Sequence, residues 1–163
     1  MWWSGRWPHD RFKENAVSIE FTMRRIPAMA YEQAIAGGHI TPDYLAESGE
    51  VAKDWDVLYR VLANGRPDSV AAAAIRGGVR MENEPDDYGG TRVLSPAEVT
   101  RIAAELGALS EHDIEHRCRT IDFTGVYGEA DGATEPPVNA FRALRDFYAE
   151  AAKNKDAMAV WLG

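Results

Sequence analysis

The sequence predicts an α+β fold, one mostly helical domain packed around a small sheet. Three observations carry that reading. An early segment, Val17-Ser18-Ile19-Glu20-Phe21-Thr22-Met23, alternates apolar and polar residues with the period of a half-buried strand. The chain closes on Ala157-Met158-Ala159-Val160-Trp161-Leu162, an unbroken apolar run that reads as a strand buried on both faces. Between them, apolar residues recur at helical spacing, with no strand–helix alternation and no internal repeat. The 163 residues make about one domain at roughly 150 residues per unit, large enough to bury a core without a metal or disulfide staple.

Each element follows from local signals. Arg24 and Arg25 close the first strand, and Pro27 opens a helix over residues 28–36 that Gly37-Gly38 stops. Thr41 and Pro42 offer a cap and first position for a short helix ending near Gly49. Over residues 51–63, Trp55, Leu58, Tyr59 and Leu62 share one helical face, and Asn64-Gly65-Arg66-Pro67 breaks the helix. An alanine-rich helix over 68–76 ends at Gly77-Gly78. Residues 81–90 are acidic and contain Pro85, which reads as an exposed loop. After a short β-like segment comes the firmest junction in the chain. Ser95 caps, Pro96 takes the first helical position, and Glu98 sits where a capping-box acid reaches back. That helix runs over 96–106 with Val99, Ile102, Ala103 and Leu106 inward, and Ser110 caps another reaching about Arg119. Glycines and prolines over 125–137 mark a loop, and Phe141, Leu144, Tyr148 and Ala151 give a last helix its buried face.

Residues 1–16 stand apart. Trp2, Trp3 and Trp7 lie among Arg6, Arg11 and Lys13 with no regular period. The segment reads as an N-terminal extension preceding a single domain over 17–163. Either it is a leader, or its indoles pack on the body or on a second subunit, an arm through which the chain can oligomerise.

Composition bounds the partners. The net charge of −8 disfavours a basic nucleic-acid face and is compatible with a basic protein partner. No apolar run approaches the roughly 20 residues of a membrane span. Cys118 is the only cysteine, so no internal disulfide forms. With no continuous apolar signal-peptide core, the expected location is cytoplasmic.

Several segments together resemble a known family. They are Lys53-Asp54-Trp55-Asp56-Val57-Leu58-Tyr59, Ala74-Ile75-Arg76-Gly77-Gly78, the stretch from Tyr88 to Val99, Asn139-Ala140-Phe141-Arg142-Ala143-Leu144-Arg145-Asp146-Phe147-Tyr148, and the ending from Asp156 to Leu162. In this order they are similar to the small bacterial YfbM-like proteins, a family of unknown function. The resemblance covers roughly residues 18–163 and implies a single α+β domain, mostly helices around a small sheet. It supplies no reaction, cofactor or catalytic residue. The tryptophan-rich leader lies outside the family pattern, and Gly128 stands where the family tends to have proline.

Motifs that carry chemistry are few. His112-Asp113-Ile114-Glu115-His116 has the H-x-x-E-H spacing of inverted zinc peptidases, with Glu129 and Glu135 the nearest downstream acids for a third ligand. The segment's polarity favours a solvated helix, so no metal ligand is assigned. Cys118 lies between Arg117 and Arg119, which can lower a thiol pKa, but no base accompanies it. Gly77-Gly78 and Gly89-Gly90, with Arg76 and Arg92 nearby, can present amides to an anion. Their spacing matches neither nucleotide-binding fingerprint, and turns account for the glycines.

Asp54, Trp55, Tyr59, Tyr88 and Arg92 are the candidate ligand-binding residues, because a pocket can form where the helical aromatics meet Tyr88 and Arg92. No catalytic residue and no cofactor is assigned. The leading expectation is a non-catalytic binding or interaction protein with an acidic surface. The alternative is a small hydrolase-like enzyme using Asp54, Tyr88, Arg92 and His112 or His116.

Overall fold

The computed structural model describes residues 19–40, 48–51, 54–84, 87–126 and 135–163. The tryptophan arm, the start of the helix expected at Thr41 and most of the loop before Pro136 lie outside the described residues. A five-stranded antiparallel sheet is the frame. Its strands are β1 (Phe21–Ile26), β2 (Ser48–Val51), β3 (Val79–Arg80), β4 (Arg92–Leu94) and β5 (Ala157–Leu162), in the order β2-β1-β5-β4-β3. Helices α1 (Ala28–Gly37), α2 (Trp55–Ala63), α3 (Ala73–Arg76), α4 (Pro96–Ala108), α5 (Glu111–Thr120) and α6 (Val138–Lys153) complete the α+β domain.

The final apolar run sits in the middle of the sheet, which explains its composition. Ala157, Met158, Ala159 and Val160 are all buried, and alternation sends them to opposite faces. Met158 and Val160 join Phe21, Met23 and Leu94 in the larger core, with α2, α4, α5 and α6. Ala157 and Ala159 join Ile26, Met81 and Val93 on the other face, beside Ala30 and Tyr31 of α1. Trp161 and Leu162, expected to be buried with the rest, are half-buried because the strand reaches the rim there.

The two serine-capped helix starts obey the sequence closely. Ser95 Oγ accepts from the Glu98 amide at 3.2 Å, and Glu98 Oε2 accepts from the Ser95 amide at 2.7 Å. Ser110 and Asp113 repeat the arrangement at the head of α5. Phe141, Leu144, Tyr148 and Ala151 are fully buried along α6, and Trp55, Leu58 and Leu62 are buried along α2.

Several boundaries differ from expectation. Arg24 and Arg25 do not end β1 but continue it, paired with Ala159 and Met158. The Arg25 guanidinium lies 3.6 Å from the Asp156 carboxylate, so its charge is partnered at the sheet margin. Gly49 does not end a helix and Val51 does not begin one. Both belong to edge strand β2, facing Met23 and Phe21, because sheet pairing overrides a weak helical pattern. The helix expected over 68–76 is regular only over Ala73–Arg76. Short-range bonds such as Ala74 N–H to Ala71 C=O (3.2 Å) and Ile75 N–H to Ala72 C=O (3.1 Å) wind the preceding residues into tighter turns.

The acidic loop is not simply exposed. Met81 is buried, the Asn83 amide donates to Gly38 C=O at 3.0 Å, and Glu84 accepts from the Ile40 amide at 2.7 Å. These bonds tie the loop to the end of α1.

Candidate functional site

Helix α3, the turn at Asp87–Gly89 and strands β4 and β5 border a cleft, with α2 behind it. Helix α2 places Trp55 and Tyr59 one turn apart on one face. Trp55 is buried, and its indole N–H donates to Ile19 C=O at 3.1 Å, which fixes the ring. Arg76, the last residue of α3, lays its guanidinium over both rings, 5.5 Å from the Trp55 centroid and 4.9 Å from that of Tyr59.

The glycines after Arg76 are sterically required. A Cβ on Gly77 would stand 2.6 Å from Ala73 O, and one on Gly78 would stand 2.6 Å from Val93 O. Gly78 also has φ +90°, a conformation that glycine adopts without penalty. The chain therefore turns tightly over β4 and leaves Arg76 at the cleft edge.

Arg92 opens β4, opposite Val160 of β5, and donates from Nη1 to Gly78 C=O at 3.3 Å. The fourth wall is the 3-10 turn Asp87–Gly89, where Tyr88 adopts φ 52° and ψ 29°. A left-handed tyrosine is strained, and such strain collects at binding sites. Tyr88 is 56% exposed. Arg76, Tyr88, Gly89, Gly90, Arg92 and Trp161 border a cavity of about 90 Å³, floored by Ile75, Val160 and Leu162. Among the described residues, no carboxylate lies within ion-pair distance of Arg76 or Arg92.

Of the residues expected from the sequence, Tyr88 and Arg92 line this cleft. Trp55 and Tyr59 stand behind it and support Arg76 rather than lining it. Asp54 is exposed just before α2, where its carbonyl accepts from the Leu58 amide at 2.9 Å. It does not border the cavity. The candidate ligand-binding residues expected from the sequence do not include Arg76 or Trp161, although Arg76 is weighed there with Arg92 beside the two glycine pairs as an anion site and set aside. The signal for Arg76 was its position inside the Ala74-to-Gly78 motif.

A second, more open groove of about 620 Å³ runs between the ends of α2 and α5, lined by Tyr59, Arg60, Asn64, Pro67, Ile121 and Asp122. Arg60 bridges it, donating to Asp122 C=O (3.4 Å) and Thr124 C=O (3.0 Å).

His112 and His116 are both exposed on α5. Among the described residues, no three His, Cys, Asp or Glu side chains gather as a metal site would require. Asp113 within the motif is a cap. Hydrogen bonds from the Ser110 amide and hydroxyl hold its carboxyl below the usual aspartate range. Burial pushes the Cys118 thiol up, opposite to the activation its arginine neighbours suggested. Arg117 donates to Val61 C=O at 3.3 Å.

Fold and site define a class: a single α+β domain with an antiparallel sheet and an arginine-rimmed cleft at one end of its central strands. The chain belongs to the family described as a domain of unknown function (DUF1877), whose model matches residues 20–161. Among solved structures it is similar to a protein of unknown function, YfbM from Escherichia coli, with TM-score 0.59 and 12% identity. That match covers 87% of this chain and 98% of the other. No curated protein matches the chain. No helix among the described residues is long and apolar enough to cross a membrane.

Proposed function

We propose that this protein is a non-catalytic binding protein whose ligand seats in the cleft between Arg76 and Arg92. The observation that carries this reading is the convergence of two arginines, with no carboxylate partner among the described residues, beside the strained, exposed Tyr88. A hydrolase built from Asp54, Tyr88, Arg92 and His112 or His116 needs those groups within hydrogen-bond reach of one reacting atom. The cleft lining includes neither a carboxylate nor an imidazole among the described residues, which favours binding over acid–base chemistry.

The test is a fragment screen on the full chain by two-dimensional amide NMR, using anionic, neutral and cationic small molecules in separate pools. Shifts concentrated at Ile75, Tyr88, Gly89, Gly90 and Trp161 are the expected result. Fragments that gather only in the groove near Asn64 and Ile121, or nowhere, would contradict it.

A further inference from the structure

We propose that the ligand of this cleft presents an oxyanion, a carboxylate or phosphate group, to Arg76 and Arg92. The inference rests on the binding reading above and names the chemistry of that same site.

Charge is the first argument. The chain carries a net charge of −8, with 26 acids against 18 bases, yet two arginines line one cavity with no acid in its lining among the described residues. A neutral or cationic group placed there would leave both charges unanswered. An oxyanion answers both, with charge-assisted hydrogen bonds stronger than neutral ones.

Each guanidinium is also held in place. Trp55 and Tyr59 cover a face of Arg76, at 5.5 and 4.9 Å from their centroids. Stacking occupies the face of the plane and leaves the N–H edge available. Arg92 gives one N–H to Gly78 C=O and is half-buried, so its fork is oriented while its other donors have no hydrogen-bond partner among the described residues. Donors fixed before the ligand arrives cost less entropy to organise. Gly77 and Gly78 maintain this placement, since any side chain at either would strike Ala73 or Val93.

Size is the third. A cavity of about 90 Å³ accommodates a group of a few heavy atoms, given that one water takes roughly 30 Å³ of liquid. The anionic head fits within it. The rest of the molecule extends along the exposed Tyr88 and the half-buried Trp161. A flat or apolar body suits those surfaces.

The experiment uses the full chain in a low-salt, non-phosphate buffer, titrated with inorganic phosphate and, separately, with benzoate. Cleft amide shifts report binding. The variants are Arg76→Gln, Arg92→Gln and, as a charge control, Arg119→Gln on exposed α5. Because Arg76 also packs on two rings, Arg76→Lys keeps the charge while removing the planar fork, and circular dichroism melting confirms that each variant folds.

At least one anion is expected to saturate the cleft. Each cleft glutamine variant should weaken it tenfold or more, Arg76→Lys less than Arg76→Gln, and Arg119→Gln under twofold. Phosphate saturating without benzoate identifies a phosphoryl ligand, and the reverse identifies a carboxylate. Neutral or cationic fragments binding the cleft while both anions leave it unmoved would overturn the oxyanion inference alone. Silence from every fragment would overturn the binding reading as well. Equal weakening by Arg119→Gln would show general charge attraction and overturn the site.

Discussion

On α5, His112 and His116 stand four positions apart on one helix, in a spacing associated with metal chemistry, and both face water. Arg76 and Arg92 stand on different elements, in a spacing that fits no fingerprint, and they border one cavity. Helical spacing fixes only how two side chains sit relative to each other. Whether a third group joins them depends on what packs opposite, and α5 turns its histidines outward. The arginines meet because two glycines fold α3 back over β4 and because sheet register sets Arg92 against Val160. Convergence is a tertiary property, so the site lies where distant turns close.

The comparison breaks most directly at the support of Arg76. Trp55→Ala should cost about 3–5 kcal/mol, the usual range for deleting a large buried aromatic. Urea unfolding measures it. A variant as stable as the parent would show that Trp55 is not structural and that Arg76 is held by something else.

Tyr148→Phe comes next. The buried hydroxyl donates to Ala74 C=O at 2.6 Å, locking α6 to the helix that presents Arg76. Removing it strands that carbonyl, at a cost of about 1–3 kcal/mol. Burial pushes the Tyr148 hydroxyl far above the ordinary tyrosine range, so the folded state keeps a proton that the unfolded chain releases. Stability from this group is therefore full below the ordinary tyrosine pKa and falls as pH rises past it. Denaturation between pH 9 and 11, about the ordinary tyrosine pKa near 10, should be steeper for the parent than for Tyr148→Phe. Parallel curves would contradict the assignment.

Gly78→Ala tests the turn itself. Its φ of +90° and the clash with Val93 O predict a loss of about 1–3 kcal/mol, typical of forced overpacking. Chemical shifts of Arg92 should move with it, through the hydrogen bond to Gly78. Unchanged stability and unchanged Arg92 would dissolve the steric argument for the turn.

On α5 the effects should be smaller and of another kind. Ser110→Ala should cost about 1 kcal/mol through its cap, leaving cleft resonances in place. The depressed pKa of Asp113 adds stability above the ordinary aspartate range, lost as pH falls through its folded value, and Ser110→Ala should flatten that acid limb. His112→Ala with His116→Ala should change stability by no more than about 0.5 kcal/mol, as exposed substitutions usually do. A large loss, in thermal melting with and without chelator, would show that the histidines are bound after all.

What the sequence disclosed follows the same division. Signals confined to a few neighbouring residues were readable: the Ser95–Glu98 box and the α6 stripe stand as expected, and the apolar run of β5 is buried as expected from Ala157 to Val160. Signals that depend on partners far along the chain were not. β3 is two residues long and exists only through Val93 and Arg92. β2 exists only through β1. Arg24 and Arg25 look like a strand end until Ala159 and Met158 are placed beside them. Within the cleft, Tyr88 and Arg92 were legible because they share one motif, whereas Arg76 and Trp161 reach it through pairing and turns. Trp55 and Tyr59 were legible as a face of α2, but nothing local says that an arginine covers them.

The central claim is that Arg76 and Arg92 act together on one ligand group. The most direct test is the side-chain Nε–Hε NMR signals of the arginines, followed while phosphate or benzoate is added to the full chain. The account predicts that the Arg76 and Arg92 signals move together along one saturating curve, while exposed Arg119 stays in place. Signals that move independently, or all arginines drifting alike without saturation, would contradict it.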